Sequence, residues 1–339
     1  MNQSKLYNWL ILKATKGLGE KSIKKLYLTF GTPERILEEE YESIERVIGG
    51  EKARSLKGGS LSFDPEKVVH LIQKEGIRWM TLEDEEYPTP LKNIEDPPPI
   101  VFYRGSLRNL NLIGVVGTRK PDQYSISFTR EVANDIVDLS FGVVSGGAKG
   151  IDYLSHKFCI EAGGYSVCVL GMGILKAPTF LKDLILKNGL LVSEFLPWET
   201  PDTFTFPRRN RIISGMSQAL FIVEAGQSSG ALITADYACR QKRPVYAHIG
   251  IGKSERWNGC AQLINQGKAM FFRSVKEVLS SSKPPAEDLD ELLSLLLNPK
   301  TFEELLDLSG LSSQDLSQKL TLYELEGKVQ RVGSYYRLL

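Results

Sequence analysis

The sequence predicts an α/β protein with a parallel-sheet core, preceded by a small helical domain and followed by a winged-helix domain. Five short apolar runs of β-forming residues each end at small or hydroxyl residues, and helix-forming sequence follows. Strands that alternate with helices build parallel sheets, whose ligand sites lie beyond the carboxyl ends of the strands. The five strand ends are GVVGTRKP (114–121), VVSGGAKGID (143–152), VCVLGMG (167–173), LLVSEF (190–195) and FIVEAGQSSGALIT (221–234).

Charge is distributed unevenly along the chain, which has 339 residues and a formal net charge of +1. Residues 101–283 carry a net charge of +8, whereas residues 1–100 carry −2 and residues 284–339 carry −5. Positive charge concentrated on one domain favours an anionic partner, and a polymer of phosphates gains most through counterion release. An uneven solvated surface is the alternative interpretation.

Cysteine and histidine usage indicates reduced core cysteines and no metal site. The four cysteines are far apart without a C-x-x-C spacing, and the three histidines are too scattered to form a ligand cluster. The sequence shows no signal-peptide pattern and no apolar run long enough to cross a bilayer. We therefore expect a cytoplasmic protein that does not contact a membrane.

The first segment has the pattern of a helix-hairpin-helix. Residues 3–15 and 20–30 have helical apolar spacing, and KGLGEKS (16–22) lies between them. Such a hairpin can present backbone amides to a DNA phosphate. Because the segment is slightly acidic, we expect protein binding or simple packing here rather than DNA contact. A proline-broken connector follows, and residues 100–103 are predicted to form an edge strand or lead-in to the sheet.

The first of the predicted strand ends places an arginine at a turn. Gly117 and Thr118 form the turn, and Arg119 follows with a guanidinium that can hold a phosphate through two parallel N–H bonds. Ser125 is expected to cap the helix that comes next.

The second strand end is glycine-rich and carries a lysine. Gly146 and Gly147 free the backbone to approach an anion, Lys149 adds positive charge, and Asp152 is expected to cap the helix or orient Lys149. The spacing matches neither a Walker loop nor G-x-G-x-x-G. No nucleotide cofactor is therefore expected.

Three arginines within four positions make FTFPRRNRIISG the densest basic cluster. On a helix, Arg208 and Arg211 share a face while Arg209 points about 100° away, so one arginine is expected to form an internal ion pair. Phe204 and Phe206 are candidates for stacking on bases, and packing under the loop is the equally open alternative.

The last strand end combines a carboxylate with a hydroxyl-rich helix start. Ser229 and Gly230 open the helix and supply amides and a hydroxyl. Glu224 lies where a catalytic carboxylate can stand, but no partner nucleophile or second carboxylate has a suitable spacing. We expect Glu224 to fix Arg209 or Arg211.

Together these motifs resemble those of the DNA-processing protein A (DprA or Smf) family. The pattern G-[ST]-R-x-P matches Gly117–Pro121, and S-G-x-A-x-G-I-D matches Ser145–Asp152. F-P-x-R-N-R-I-I matches Phe206–Ile213, and E-A-x-x-x-S-G-[AS]-L-I-T matches Glu224–Thr234. The match runs from about residue 80 to 275. The third strand end departs from the family pattern, since LGMGILKAPTF replaces the usual G-L-D-x-x-Y-P-x-x-N.

The resemblance implies a non-enzymatic protein with an extended Rossmann-like sheet. Such proteins hold incoming single-stranded DNA during natural transformation, help displace single-strand-binding protein, load RecA, and form homodimers through the sheet domain. The implied domains are 1–75 (helix-hairpin-helix, SAM-like), 76–283 (extended Rossmann-like with its connector) and 284–339 (winged-helix, DML1-like). The expected DNA- and phosphate-binding residues are Gly117, Thr118, Arg119, Gly146, Gly147, Lys149, Phe206, Arg208, Arg209, Asn210, Arg211, Ser229, Gly230 and Thr234.

Two other functions stay open from the sequence. A Rossmann-like nucleotide phosphoribohydrolase-type enzyme also uses glycine-rich loops and a strand-end glutamate, but its P-G-G-x-G-T-x-x-E stretch is absent. A scaffold that binds a small phosphorylated regulator is the third interpretation.

The last segment has the pattern of a winged helix. Helices are predicted at 289–297, 301–308 and 313–326, followed by two strands around a Gly333–Ser334 turn. Winged helices commonly bind duplex DNA, but the net charge of −5 opposes contact with phosphates. We expect this domain to bind a protein.

Overall fold

The computed structural model contains two compact units, Met1–Glu277 and Val278–Leu339, and each is described by itself. The residues that the structure describes are 3–250, 254–281, 292, 295–296, 300–325 and 329–338. None of the helices among them has the length and apolar character needed to cross a membrane. Within the same residues, no group of three or more His, Cys, Asp or Glu side chains could hold a metal ion.

The chain begins with a bundle of six helices. Trp9, Leu10, Leu26, Ile36 and Ile44 are fully buried in its core, at 0% exposure. The predicted hairpin joins the first two helices, and its glycine at position 17 takes φ +78°, where a side chain is unfavourable. The helices are α1 (Gln3–Ala14), α2 (Glu20–Phe30), α3 (Pro33–Glu38), α4 (Tyr41–Ile48), α5 (Gly50–Lys57) and α6 (Pro65–Lys74).

A nine-stranded mixed sheet follows the helical bundle. Its strands are β1 (Arg78–Thr81), β2 (Ile100–Gly105), β3 (Leu112–Val116), β4 (Gly142–Ser145), β5 (Ser166–Val169), β6 (Gly189–Ser193), β7 (Ser217–Ile222), β8 (Val245–Ala247) and β9 (Met270–Phe271). The helices between and after them are α7 (Thr89–Lys92), α8 (Gln123–Asp138), α9 (Ile151–Glu161), α10 (Thr179–Ile185), α11 (Thr205–Met216), α12 (Ala231–Arg240), α13 (Asn258–Asn265) and α14 (Val275–Ser281).

The strand order places the predicted loops at one edge of the sheet. The order is β1-β2-β6-β5-β4-β3-β7-β8-β9. From β6 to β9 all neighbours are parallel, whereas β2 pairs antiparallel with β1 and with β6. The direction of strand succession reverses between β3 and β7, and ligands of open α/β sheets bind at such a reversal. Strand β2 is interior, so the edge position predicted for 100–103 belongs to β1 instead.

The cap of α8 is Asp122, not the predicted Ser125. The Asp122 carboxylate accepts a hydrogen bond from the Ser125 amide at 2.8 Å, and Ser125 lies inside the first helical turn. An N-cap residue must precede the helix to reach these unpaired amides, and a carboxylate three positions earlier does so. Ser125 is buried and contributes its amide rather than its hydroxyl to the cap.

Beyond the end of α14, the second unit contains a small antiparallel sheet and two helices with described bounds. They are β10 (Lys300–Thr301), α15 (Phe302–Ser309), α16 (Ser313–Leu325), β11 (Val329–Val332) and β12 (Tyr335–Leu338). Among the described residues the sheet has the order β10-β12-β11, one strand more than the predicted two. The helix predicted at 289–297 falls mostly outside the described residues.

Candidate nucleic-acid interface

Three loops meet at the sheet edge where the strand order reverses. The amide of Thr118 donates to the carbonyl of Glu224 at 2.8 Å, which joins the loop after β3 to the loop after β7. The amide of Ile151 donates to the carbonyl of Thr118 at 3.1 Å, which joins the loop after β4 to the loop after β3. We call these loops, residues 117–120, 146–150 and 224–230, the crest.

Gly150 brings together two of the three exposed cations of the crest (Arg119, Lys120 and Lys149), namely Arg119 and Lys149. It has φ +86°, and a Cβ at this position would lie 2.3 Å from the Thr118 carbonyl oxygen and 2.7 Å from the Arg119 Cα. The glycine therefore allows direct backbone contact between the two loops that carry Arg119 and Lys149. Both side chains are exposed, and neither has an ion-pair partner among the residues that the structure describes.

Asp152 organises the glycine-rich loops instead of capping α9 or orienting Lys149. The N-cap position is Gly150, and Asp152 lies in the first turn with 7% exposure. Burial raises the pKa of the Asp152 carboxyl, while Arg209 and the amides of Gly117, Gly146 and Ala148 favour its charged form. The buried Asp152 side chain thus acts on the two glycine-bearing loops from within the protein rather than on Lys149 at the surface.

Arg209 lies under the crest and does not reach its surface. It is 4% exposed, and its Nη1 donates to the carbonyls of Gly146 and Val169, at the ends of β4 and β5. A Cβ on Gly146 would lie 2.1 Å from Arg209 Nη1, so only glycine leaves room for the guanidinium. Burial lowers the pKa of Arg209, and Asp152 opposes that shift. The predicted phosphate contact is wrong for Arg209, because Nη1 faces backbone carbonyls, Nε donates to Asn210 Oδ1, and the side chain is buried.

Arg211 forms the internal ion pair that helical geometry predicted for one of the three arginines. Its side chain is 2% exposed, its Nη2 lies 2.6 Å from Glu194 Oε2, and its Nε lies 3.2 Å from Asp96 Oδ2. The carboxylates raise the pKa of Arg211 although burial acts in the opposite direction. A phosphate contact by Arg211 is excluded by its burial, and of the three arginines only Arg208 is exposed.

The other residues predicted to bind phosphate lie partly at the surface and partly in the interior. Gly230 is exposed at the N-cap of α12, and the Ser229 hydroxyl accepts from the Ala231 amide at 3.3 Å. Thr234 is only 2% exposed, so it packs inside the protein rather than facing a ligand. The half-buried residues are Gly117, Thr118, Gly147, Phe206 and Asn210.

The two phenylalanines before the arginines differ in their surroundings. Phe206 packs over Gly171, whose Cβ would lie 2.7 Å from the Phe206 ring. Phe204 is 80% exposed. Packing under the loop is therefore the structural outcome for Phe206, and Phe204 alone of this pair presents its whole ring to solvent.

Glu224 pairs with a residue that the sequence patterns did not single out. It is 1% exposed, and its Oε1 lies 3.1 Å from Arg256 Nη1 rather than near Arg209 or Arg211. Arg256 also donates to the Lys120 carbonyl at 2.9 Å, so it ties two crest loops together. Its position, 32 residues after Glu224 and outside any recognisable motif, offered no local signal.

Comparison with known proteins identifies the family. A family model described as DNA recombination-mediator protein A matches residues 78–283, which is most of the chain and spans the nine-stranded sheet. The chain belongs to the DNA recombination-mediator protein A family. The resemblance drawn from the four motifs is confirmed, as is the extended α/β fold that it implied.

Proteins from three bacteria are similar to this chain in sequence or structure over much of its length. Protein Smf of Synechocystis sp. is 31% identical over 293 residues, covering 83% of this chain and 73% of that protein. DNA processing protein A (DprA) of Streptococcus pneumoniae has an X-ray structure that matches with a TM-score of 0.71 at 29% identity, over 83% of this chain and 98% of that chain. DNA processing protein A of Helicobacter pylori, described for its single-stranded DNA binding mode, matches with a TM-score of 0.54 at 23% identity, over 60% of this chain and 95% of that chain. This last likeness shows the fold alone.

Proposed function

We propose that this protein is a DNA-processing protein of natural transformation that holds single-stranded DNA on its crest. The observation that carries the proposal is the pair of exposed cations, Arg119 and Lys149, on loops in backbone contact through Gly150. Phosphates of one strand can contact both cations at once. The net charge of +8 over residues 101–283 adds a sequence-independent attraction.

We propose binding without catalysis. The carboxylate that a phosphoribohydrolase-type enzyme would use at the end of β7 is Glu224, and here it is buried and paired with Arg256. A general base must be able to reach a proton of the substrate, and an ion-paired interior carboxylate does not offer this. Family membership supports the further steps of the proposal, which are loading of RecA and displacement of single-strand-binding protein in the cytoplasm.

We propose three functional parts with the boundaries 1–75, 76–283 and 284–339. The middle part holds the crest and the family match. The last part carries a net charge of −5, which favours a protein partner over nucleic acid.

Binding to three ligands across a salt series tests this function. Single-stranded oligonucleotides are expected to bind at least about tenfold more tightly than duplexes of equal length, and the logarithm of the affinity should fall linearly with the logarithm of salt concentration. Mononucleotides should bind weakly, because each engages few cations, and should stay intact. Filter binding measures the affinities, and chromatography of the mononucleotides measures cleavage. Saturable cleavage of a mononucleotide would support the phosphoribohydrolase instead.

We also propose a homodimer formed through the sheet domain. Strand β9 ends the sheet, and its Met270 and Phe271 are 52% and 46% exposed. Ile249, at 43% exposure, lies in the loop after the neighbouring β8. Exposed apolar side chains on a terminal strand mark a surface that association covers.

Replacing Phe271 by aspartate is expected to shift the protein from dimer to monomer, because a carboxylate at a buried apolar contact is costly. Sedimentation equilibrium measures the change. Leu28→Asp is the matched control, since Leu28 is 70% exposed on α2 in the helical bundle and should leave the dimer intact. A Phe271→Asp variant with unchanged mass would place the dimer contact elsewhere.

A further inference from the structure

A cavity of about 700 Å³ lies between the helical bundle and the sheet domain, inside the first compact unit. Lys13 and the hairpin of residues 17–19 line it on the side of the bundle. Trp198 and Arg208 line it on the side of the sheet domain. Its volume falls in the range of about 300–1,000 Å³ that small-molecule sites occupy.

Lys13 provides a cation without a direct partner in this cavity. It projects from α1 and is half-buried. Burial lowers the pKa of its ammonium, and Glu194 and Glu20 only partly offset this. Among the described residues, the side-chain ammonium of Lys13 has neither a hydrogen bond nor an ion pair. Because an ammonium that has lost water without gaining a partner is costly, an anion that enters the cavity would stabilise it.

Arg208 connects the cavity to the crest. Its Nη2 contacts Glu20 Oε1 of α2 and lies 3.4 Å from Glu194 Oε2, while 44% of its side chain stays exposed. A guanidinium has five N–H donors, so Arg208 can bind a phosphate in addition to a carboxylate or in exchange for Glu20. The next residue on α11 is Arg209, which binds the Gly146 carbonyl beneath the crest. Helix α11 therefore borders both the cavity and the crest.

Aromatic and acidic groups complete the walls. Trp198 is 40% exposed, and Phe63 lies on the opposite, bundle side. An indole face stacks on any base. Glu199 also lines the cavity, and its carboxylate, which accepts from the Leu196 amide through Oε2, can accept a further hydrogen bond from a ring N–H or amino group of a base, such as the N3–H of thymine. The cavity thus offers cations for a phosphate, an aromatic face for stacking and a hydrogen-bond acceptor for a base. This combination fits a nucleotide.

We propose, on the basis of the function proposed above, that this cavity receives one nucleotide of the bound strand. The base lies against Trp198, and the phosphate lies between Lys13 and Arg208. The DNA strand thus continues from the crest along α11 to the helical bundle. The slightly acidic charge of the bundle did not predict this contact.

Affinity measured against strand length tests this path. Lys13→Ala and Trp198→Ala are each expected to weaken binding of long oligothymidylates about tenfold and to leave the shortest oligothymidylates that bind unaffected. Lys16→Ala is the matched control for charge, because Lys16 is exposed in the same turn and does not line the cavity. Trp198→Phe, which keeps an aromatic face, and Lys13→Arg, which keeps the charge, should both retain most of the affinity. Fluorescence anisotropy gives the affinities, and thermal unfolding shows that each variant is folded.

The possible outcomes separate the two proposals. Wild-type affinity of Lys13→Ala and Trp198→Ala for every length, with Arg119→Ala still weakened, would overturn the cavity site and leave the crest in place. Wild-type affinity of Arg119→Ala as well would overturn the proposed function. If thymidine monophosphate binds in a Lys13-dependent manner while strand affinity is unchanged, the cavity is a site for free nucleotides and its place on the strand path is refuted.

Discussion

The double variant Arg119→Ala/Lys149→Ala is expected to bind single-stranded DNA about 100-fold more weakly, a loss of ~3 kcal/mol. Both side chains are exposed on adjoining crest loops, so alanine removes two phosphate contacts without disturbing the buried residues beneath them. Each lost contact should also reduce the salt dependence by roughly 0.7 in the slope of log affinity against log salt. The loss should be similar for all base sequences, since phosphate contacts position a strand without reading it. Filter binding across salt concentrations measures both effects.

Arg130→Ala/Lys157→Ala is the matched control for this variant. It removes the same charge from the same domain, but these two cations lie along α8 and α9 and pair with Glu161. A weakening as large as that of the crest variant would indicate that only net charge matters and that the crest is not the binding surface.

Arg211→Ala is expected to destabilise the protein by about 3–5 kcal/mol. Arg211 is 2% exposed, and its removal leaves Asp96 without its ion-pair partner and leaves the buried Glu194 with only the longer 3.4 Å contact to Arg208. A buried ion pair adds little net stability, but breaking one costs much because the remaining charge stays desolvated. The free energy of unfolding, measured by urea titration followed by circular dichroism, should fall by this amount.

Arg240→Ala provides the comparison for a surface arginine. Its side chain is 71% exposed and pairs with Asp236 four residues earlier, and such a pair contributes only about 0.3–0.5 kcal/mol. If Arg211→Ala were no less stable than Arg240→Ala, the interior ion pair would not contribute to the fold as described. DNA binding that survives in folded Arg211→Ala would agree with its position below the surface.

Local patterns were sufficient for the architecture and for the loops that form the crest. Alternation of strand and helix patterns predicted the parallel core, because each pattern reflects one segment's burial. The positions of Arg119 and Lys149 follow from the same logic, since residues directly after parallel strands gather at one sheet edge. The strand β1 was missed as an element because a short run among prolines and acids has no clear period.

Local patterns could not predict ion pairs between residues that lie far apart in the chain. Glu224 pairs with Arg256 and Arg208 with Glu20, at separations of 32 and 188 residues. Helical spacing showed that one of three neighbouring arginines should turn inward, and the structure has two of them buried. The second is Arg209. Its guanidinium fits beneath the crest only because Gly146, 63 positions away in the chain, has no side chain.

By itself the sequence determined the α/β core, the family, and the loops on which cations follow the strands. Those features depend on residues close together in the chain, whose spacing reports burial and turn geometry directly. Only the tertiary structure decided which cations stay at the surface and which turn inward, Arg209 toward backbone carbonyls and Arg211 toward Glu194 and Asp96. The physical reason is desolvation, because a charge enters the interior only where folding brings an opposite charge or backbone acceptors to it.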